Sequence, residues 1–263
     1  MTSPAAGGGP RAVMASEWLK LRSVSSTYYA LGFAAMTVVL GAVWTLYVSG
    51  LAEERGITRA AAPEVGFLPL VQMSLAVLGV LAFTSEQVNG MIRTSLTVVP
   101  RRGTLLLAKA AVVGAVTLGA STAILVCTYA VSRLIAGDRP LGFNASPLAD
   151  DLPMLGGSIL SVTVLALVGL GFGAAVRSTA AGITGVVGLL FVLPGLVVYL
   201  PEPWNFRVGA LLLTNLVPQI ADDHISRRLG AGVLSPAAAV AVLIAYAVVA
   251  LAVGFAVLRR RDA

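Results

Sequence analysis

Few residues in this 263-residue chain could do covalent or metal chemistry. The single histidine, His224, follows Asp222 and Asp223, and together they could ligate a metal. With no second histidine and no cysteine nearby, that set falls short of the usual three or four ligands, and a solvated loop is the simpler reading. The one cysteine, Cys127, lies in an apolar run, which excludes an intramolecular disulfide and leaves it as a small apolar packer. No G-x-S-x-G nucleophile motif occurs, and no G-x-x-x-x-G-K-[ST] loop that could cradle nucleotide phosphates. The richest polar cluster is instead the stretch 83–109, "FTSEQVNGMIRTSLTVVPRRGTLLLAK", which carries Glu86, Arg93, Arg101, Arg102 and Lys109 between two long apolar runs.

Charge elsewhere is scarce. Charged residues make up 11% of the chain and hydrophobic ones 57%, and the mean hydropathy is +0.91, whereas an ordinary soluble domain is about 25% charged. Six charge-free intervals are long enough for a membrane crossing: 23–52, 65–85, 110–132, 152–176, 178–201 and 229–258. A helix needs roughly 20 apolar residues to cross a hydrocarbon core of about 30 Å. The next interval, 208–221, contains Pro218 and is too short. These features predict an all-α integral membrane protein with six transmembrane helices.

With the N-terminus in the cytoplasm, 11 of the 18 basic residues fall on the inner side. The positive-inside rule therefore favours cytoplasmic N- and C-termini. The formal charge of +6 does not indicate nucleic-acid binding, because the basic residues are scattered among the ends of apolar runs. Residues 1–13 read as a flexible tail with no signal-peptide core, and Met14 competes with Met1 as the start; residues 14–263 then form one six-span domain.

From Met14, "MASEWLKLRSV" places Met14, Trp18 and Leu21 on one stripe with Glu17 and Lys20 turned away, which predicts a short amphipathic helix at the inner surface before the first span. In the polar stretch, Val88, Met91, Ile92, Leu96 and Val99 recur at helical spacing if a helix begins at Glu86, where an acid would favour the helix N-terminus. Pro100 would end that helix, and Gly103-Thr104 would turn and cap the third span. No predicted span has a central acid or base of the kind that relays ions. Gln72 is the candidate for a pathway-facing polar position, and Gly169-x-x-x-Gly173 and Ala181-x-x-x-Gly185 allow close helix approach within the subunit or across a dimer.

The pattern Glu86-x-x-x-Gly90-Met91-Ile92-Arg93, then Leu96, Pro100-Arg101-Arg102 and Lys109, resembles the first cytoplasmic loop of type-2 ATP-binding-cassette (ABC) export permeases, and "SEWLKLRS" resembles the start of their actinobacterial members. Met91 departs from the usual threonine. The resemblance implies a coupling helix between spans two and three built from Glu86, Gly90, Met91, Arg93, Leu96, Pro100, Arg101 and Arg102, and an interfacial helix carrying Glu17, Trp18, Lys20, Leu21 and Arg22. It also implies an outer helical hairpin between spans five and six. The expected function is that of a transmembrane permease subunit of an ABC exporter in the bacterial plasma membrane. It would not itself be an enzyme: ATP and Mg would be held by separate ABC ATPase subunits, with no cofactor or metal on this chain. A second permease subunit, identical or similar, and the lipid bilayer complete the expected partners. A scaffold, immunity or sensory subunit of the same fold is the alternative, with an intramembrane hydrolase further behind.

Overall fold

The structure is a computed structural model that describes residues 10–88, 102–221 and 232–260. Among these every regular element is a helix: α1 (Pro10–Ser23), α2 (Ser25–Arg55), α3 (Pro63–Gly66), α4 (Leu68–Val88), α5 (Arg102–Ala136), α6 (Leu148–Val176), α7 (Thr179–Val187), a π turn (Gly188–Val192), α8 (Leu193–Val197), α9 (Trp204–Leu211), α10 (Leu213–Ile220) and α11 (Pro236–Arg260). Six stretches are long and apolar enough to cross a membrane: Ser25–Arg55, Leu68–Gln87, Gly103–Ala136, Leu148–Val176, Thr179–Val197 and Pro236–Arg260. The protein is a six-span, multi-pass membrane protein, as the spacing of charges predicts.

Spans two (α4) and four (α6) form the centre. Their apolar windows are 61% and 67% buried, against 22–33% for the other four. Glycine permits the approach: a Cβ at Gly79 would overlap the Ala166 carbonyl, and one at Gly169 would overlap that of Ala76. A Cβ at Gly173 would sit 2.8 Å from the Val80 oxygen, four residues further along both helices, so the two spans run parallel. The small-residue motif Gly169-x-x-x-Gly173 therefore packs spans within one subunit. Leu75, Val71, Val162 and Ala166 fill the interface between them. Cys127 is exposed on the outside of the third span rather than packed among neighbours.

Sequence and local geometry explain the ends. The first span stops at Gly56, whose left-handed φ of 65° turns its N–H back to the Ala52 carbonyl. The fifth starts at Ser178, whose hydroxyl accepts from the Ala181 N–H. Between spans five and six, α9 and α10 meet at the extended Leu212, φ −65° and ψ 137°, where an outer hairpin is expected.

Three boundaries differ from the sequence reading. The first helix begins at Pro10 rather than Met14, and Val13 is buried, so residues 10–13 belong to the body and not to a tail. Proline suits a first helical position because its missing N–H would have no partner there, a signal that the Ala- and Gly-rich composition obscures. Glu86 lies in the last turn of the second span, which runs on to Val88, rather than at the start of a new helix. The third span is already helical at Arg102, so Gly103 and Thr104 are inside it and do not form its turn and cap.

Candidate functional site

Helix α1 lies against the bundle face where the second span ends and the third begins. Val13, Glu17 and Leu21 form its buried stripe, while Met14 and Trp18 face outward, 41% and 44% exposed. A membrane inverts the usual reading, since an outward apolar side chain meets lipid and the polar side is left for the protein. Glu17 and Lys20 are indeed turned away from Met14 and Trp18, and this turns them into the protein. The α1–α2 elbow is held by the Tyr28 hydroxyl, which donates to the Arg22 carbonyl at 3.0 Å.

Three helices thereby bring together two acids and two bases. Lys109 Nζ on α5 binds Glu86 Oε1 on α4 at 2.8 Å and also binds Glu17 Oε2 on α1. Lys20 Nζ reaches Glu17 Oε1 at 2.7 Å and Glu86 Oε1 at 3.1 Å. Glu17, Glu86 and Lys109 are buried, whereas the Lys20 side chain keeps 28% exposure. Glu86 stands near the C-terminus of α4, where the helix dipole disfavours its charge, and its bond to Lys109 offsets that. Burial pulls the Lys20 ammonium down, but the hydrogen bond and charge of Glu17, with the charge of Glu86, outweigh it and raise its pKa. The Lys20 contribution to stability is thus present through neutral pH and lost only when alkaline pH passes that raised value.

A buried charge cluster gives little net stability over an apolar core, yet breaking it is costly. Its value lies in register: with Glu17 on Lys109, α1 can sit on the α4–α5 pair in one place only. Sequence analysis places Glu17 and Lys20 on the interfacial helix and Glu86 in the coupling segment. It missed Lys109 as a site residue, treating it as the edge of a charge-free interval; a lysine about two turns into a long apolar helix was the available signal. Gly90, Met91, Arg93, Leu96, Pro100 and Arg101 lie outside the described residues, and Arg102 opens α5. Gln72 is buried and donates to Ser161 Oγ at 3.0 Å between spans two and four. His224, Asp222 and Asp223 also fall outside the described residues.

A second cluster, which the sequence analysis does not anticipate, sits at the opposite end of the bundle. Arg133 reaches Glu64 Oε1 at 2.7 Å and Asp151 Oδ2 at 3.3 Å, and its guanidinium lies 3.8 Å from the centre of the Tyr129 ring. The Tyr129 hydroxyl donates to Asp151 at 2.9 Å. Burial raises the Glu64 pKa despite the opposing charge of Arg133, and Glu64 Oε2 is buried with no hydrogen-bond partner among the described residues. A raised acid binds its proton more readily folded than unfolded, so acidification through that pKa favours the folded chain. We expect the thermal midpoint of the wild type, relative to Glu64→Gln, to rise as pH falls through the raised Glu64 value. A flat difference between the two proteins would disprove it.

Four apolar spans around a central parallel pair, with a charge-locked helix lying across one face, describe a membrane-embedded protein of the permease type. The profile of the ABC-2 family transporter protein matches residues 13–199, from α1 to just beyond the fifth span. The chain belongs to that family. Comparison with curated proteins gives no match.

Proposed function

We propose that this chain is the permease subunit of an ATP-driven exporter, paired with a second permease and powered by separate ATPase chains at the face that carries α1. The observation that carries the reading is the cluster of Glu17, Lys20, Glu86 and Lys109. It ties α1 to both flanks of the 89–101 segment, where the family resemblance puts the coupling helix. A push on that segment is delivered to Glu86 at its start and, beyond its end, to Lys109 on α5. Because Glu17 holds Lys109, the interfacial helix and spans two and three must then move together. The sequence contains no phosphate loop, so hydrolysis falls to a partner, in which ATP and Mg would sit. On this reading the α1 face is the cytoplasmic one.

Gentle purification should recover a phosphate-loop ATPase chain with the permease. In a Cys127→Ser background, new cysteines replacing Arg55 and Asp150 should label from outside the cell, and one replacing Arg260 should not. The reversed labelling pattern, or full transport by the reconstituted permease without ATP or any ATPase, would sink the proposal.

A further inference from the structure

A cavity of about 140 Å³ lies beside the charge cluster, under the α1–α2 elbow. Leu21, Leu78, Val112 and Val113 make an apolar floor, and Glu17, Lys20, Glu86 and Lys109 form one wall. The floor is buried, while Ser26 and Ser85 at the rim are half-buried and Ser23 is exposed. The mouth is therefore at the elbow. On the two helices that meet there, Trp18, Tyr28 and Tyr29 are 44%, 57% and 77% exposed, and aromatic side chains of this kind mark the headgroup level of a bilayer.

We propose that this cavity binds one zwitterionic phospholipid from the adjoining leaflet. Its ammonium and phosphate lie against the charged wall and the serine hydroxyls, and the first part of one acyl chain lies on the apolar floor. Three properties of the site select that occupant. The volume is close to that of an engineered apolar cavity that holds one benzene, which gives room for about six chain carbons. An apolar floor excludes a free phosphate or a nucleotide as the natural fit, because neither would cover it. The wall pairs two acids with two bases, so a headgroup that carries both signs can lie against it with each sign matched, whereas an anionic headgroup would add a charge to a wall that already balances its own. Such a lipid would fill the gap between the elbow and span two, making the seating of α1 sensitive to bilayer composition. This inference does not depend on the direction or cargo of transport.

The test uses the full chain in nanodiscs containing equal amounts of phosphatidylethanolamine and phosphatidylglycerol, released for native mass spectrometry. The wild type should retain one phosphatidylethanolamine per chain, at least tenfold over phosphatidylglycerol. Ser85→Phe closes the mouth from α4, and Ser26→Leu does so from the first turn of α2. Each should cut retention at least tenfold, and the second keeps the test decisive if the first does not yield folded protein. Absence of retained lipid in the wild type, equal retention of the two lipids, or undiminished retention in the folded variants would overturn the assignment.

Discussion

Lys109→Met should lower the stability of the folded permease by about 3–5 kcal/mol, the cost of breaking a buried ion pair by removing one partner, and should abolish ATP-driven transport. Methionine fills much the same volume, so the loss is one of charge rather than shape. Without Lys109, Glu17 and Glu86 keep only Lys20 among the described residues, and it is the most solvent-exposed member of the set. One buried carboxylate is then uncompensated and must take up a proton or draw in water. Combining Lys109→Met with Glu86→Gln removes that charge as well and should recover part of the stability, since replacing a buried pair with neutral groups is far less costly than halving it. Transport should remain lost, because the bond joining spans two and three is still missing. Thermal unfolding of the purified chain together with ATP-driven transport in vesicles separates the two effects. If the single variant melts like the wild type, the cluster does not hold these helices together.

The second large effect belongs to one methyl group. Gly79→Ala should destabilise the bundle by about 3 kcal/mol or more, at or above the usual cost of overpacking a tight core, because the new Cβ meets the Ala166 backbone carbonyl and no side-chain rotation relieves it. Gly119→Ala is the control. That position has nothing within 4 Å of an added Cβ, and alanine is intrinsically the better helix former. Folded yield and thermal midpoint should fall for the first and hold or rise for the second; equal behaviour would mean that spans two and four are not in close contact.

Much of the fold can be read from the sequence because charge is so rare: each interval between charged residues is a span, and the intervals alternate with turn and cap residues. The boundaries are harder, and Lys109 shows why. A lysine looks like the end of an apolar segment, yet here it is buried with two carboxylates from distant parts of the chain, and the helix runs on past it to Arg102. Glu86 misleads in the same way. Its type suits a helix start, but partners beyond the local window hold it at a helix end. Glu17 needed a different insight. Amphipathic spacing identifies two faces of α1 without saying which meets lipid, and the charged face proves to be the one turned inward. Glu64 and Asp151 lie in segments that read as ordinary loop and helix-start acids; only the folded chain brings them to Arg133. The parallel approach of spans two and four was present in the glycine spacing, although such motifs do not name their partner.

The π turn at Gly188–Val192 in span five carries a consequence for how this chain tolerates change in length. Its hydrogen bonds reach one residue further than those of an α-helix, so the turn stores one residue beyond what the straight rod requires. Elsewhere in a span, deleting a residue swings everything after it by about 100° around the axis, since an α-helix holds 3.6 residues per turn. At Gly188–Val192 a deletion can be absorbed by reverting the wide turn to an ordinary one, leaving Val186 before it and Val197 after it, both buried, on their present sides. Span five therefore has a built-in slack of one residue, a place where the length of a membrane helix can change without rewriting either of the surfaces it presents.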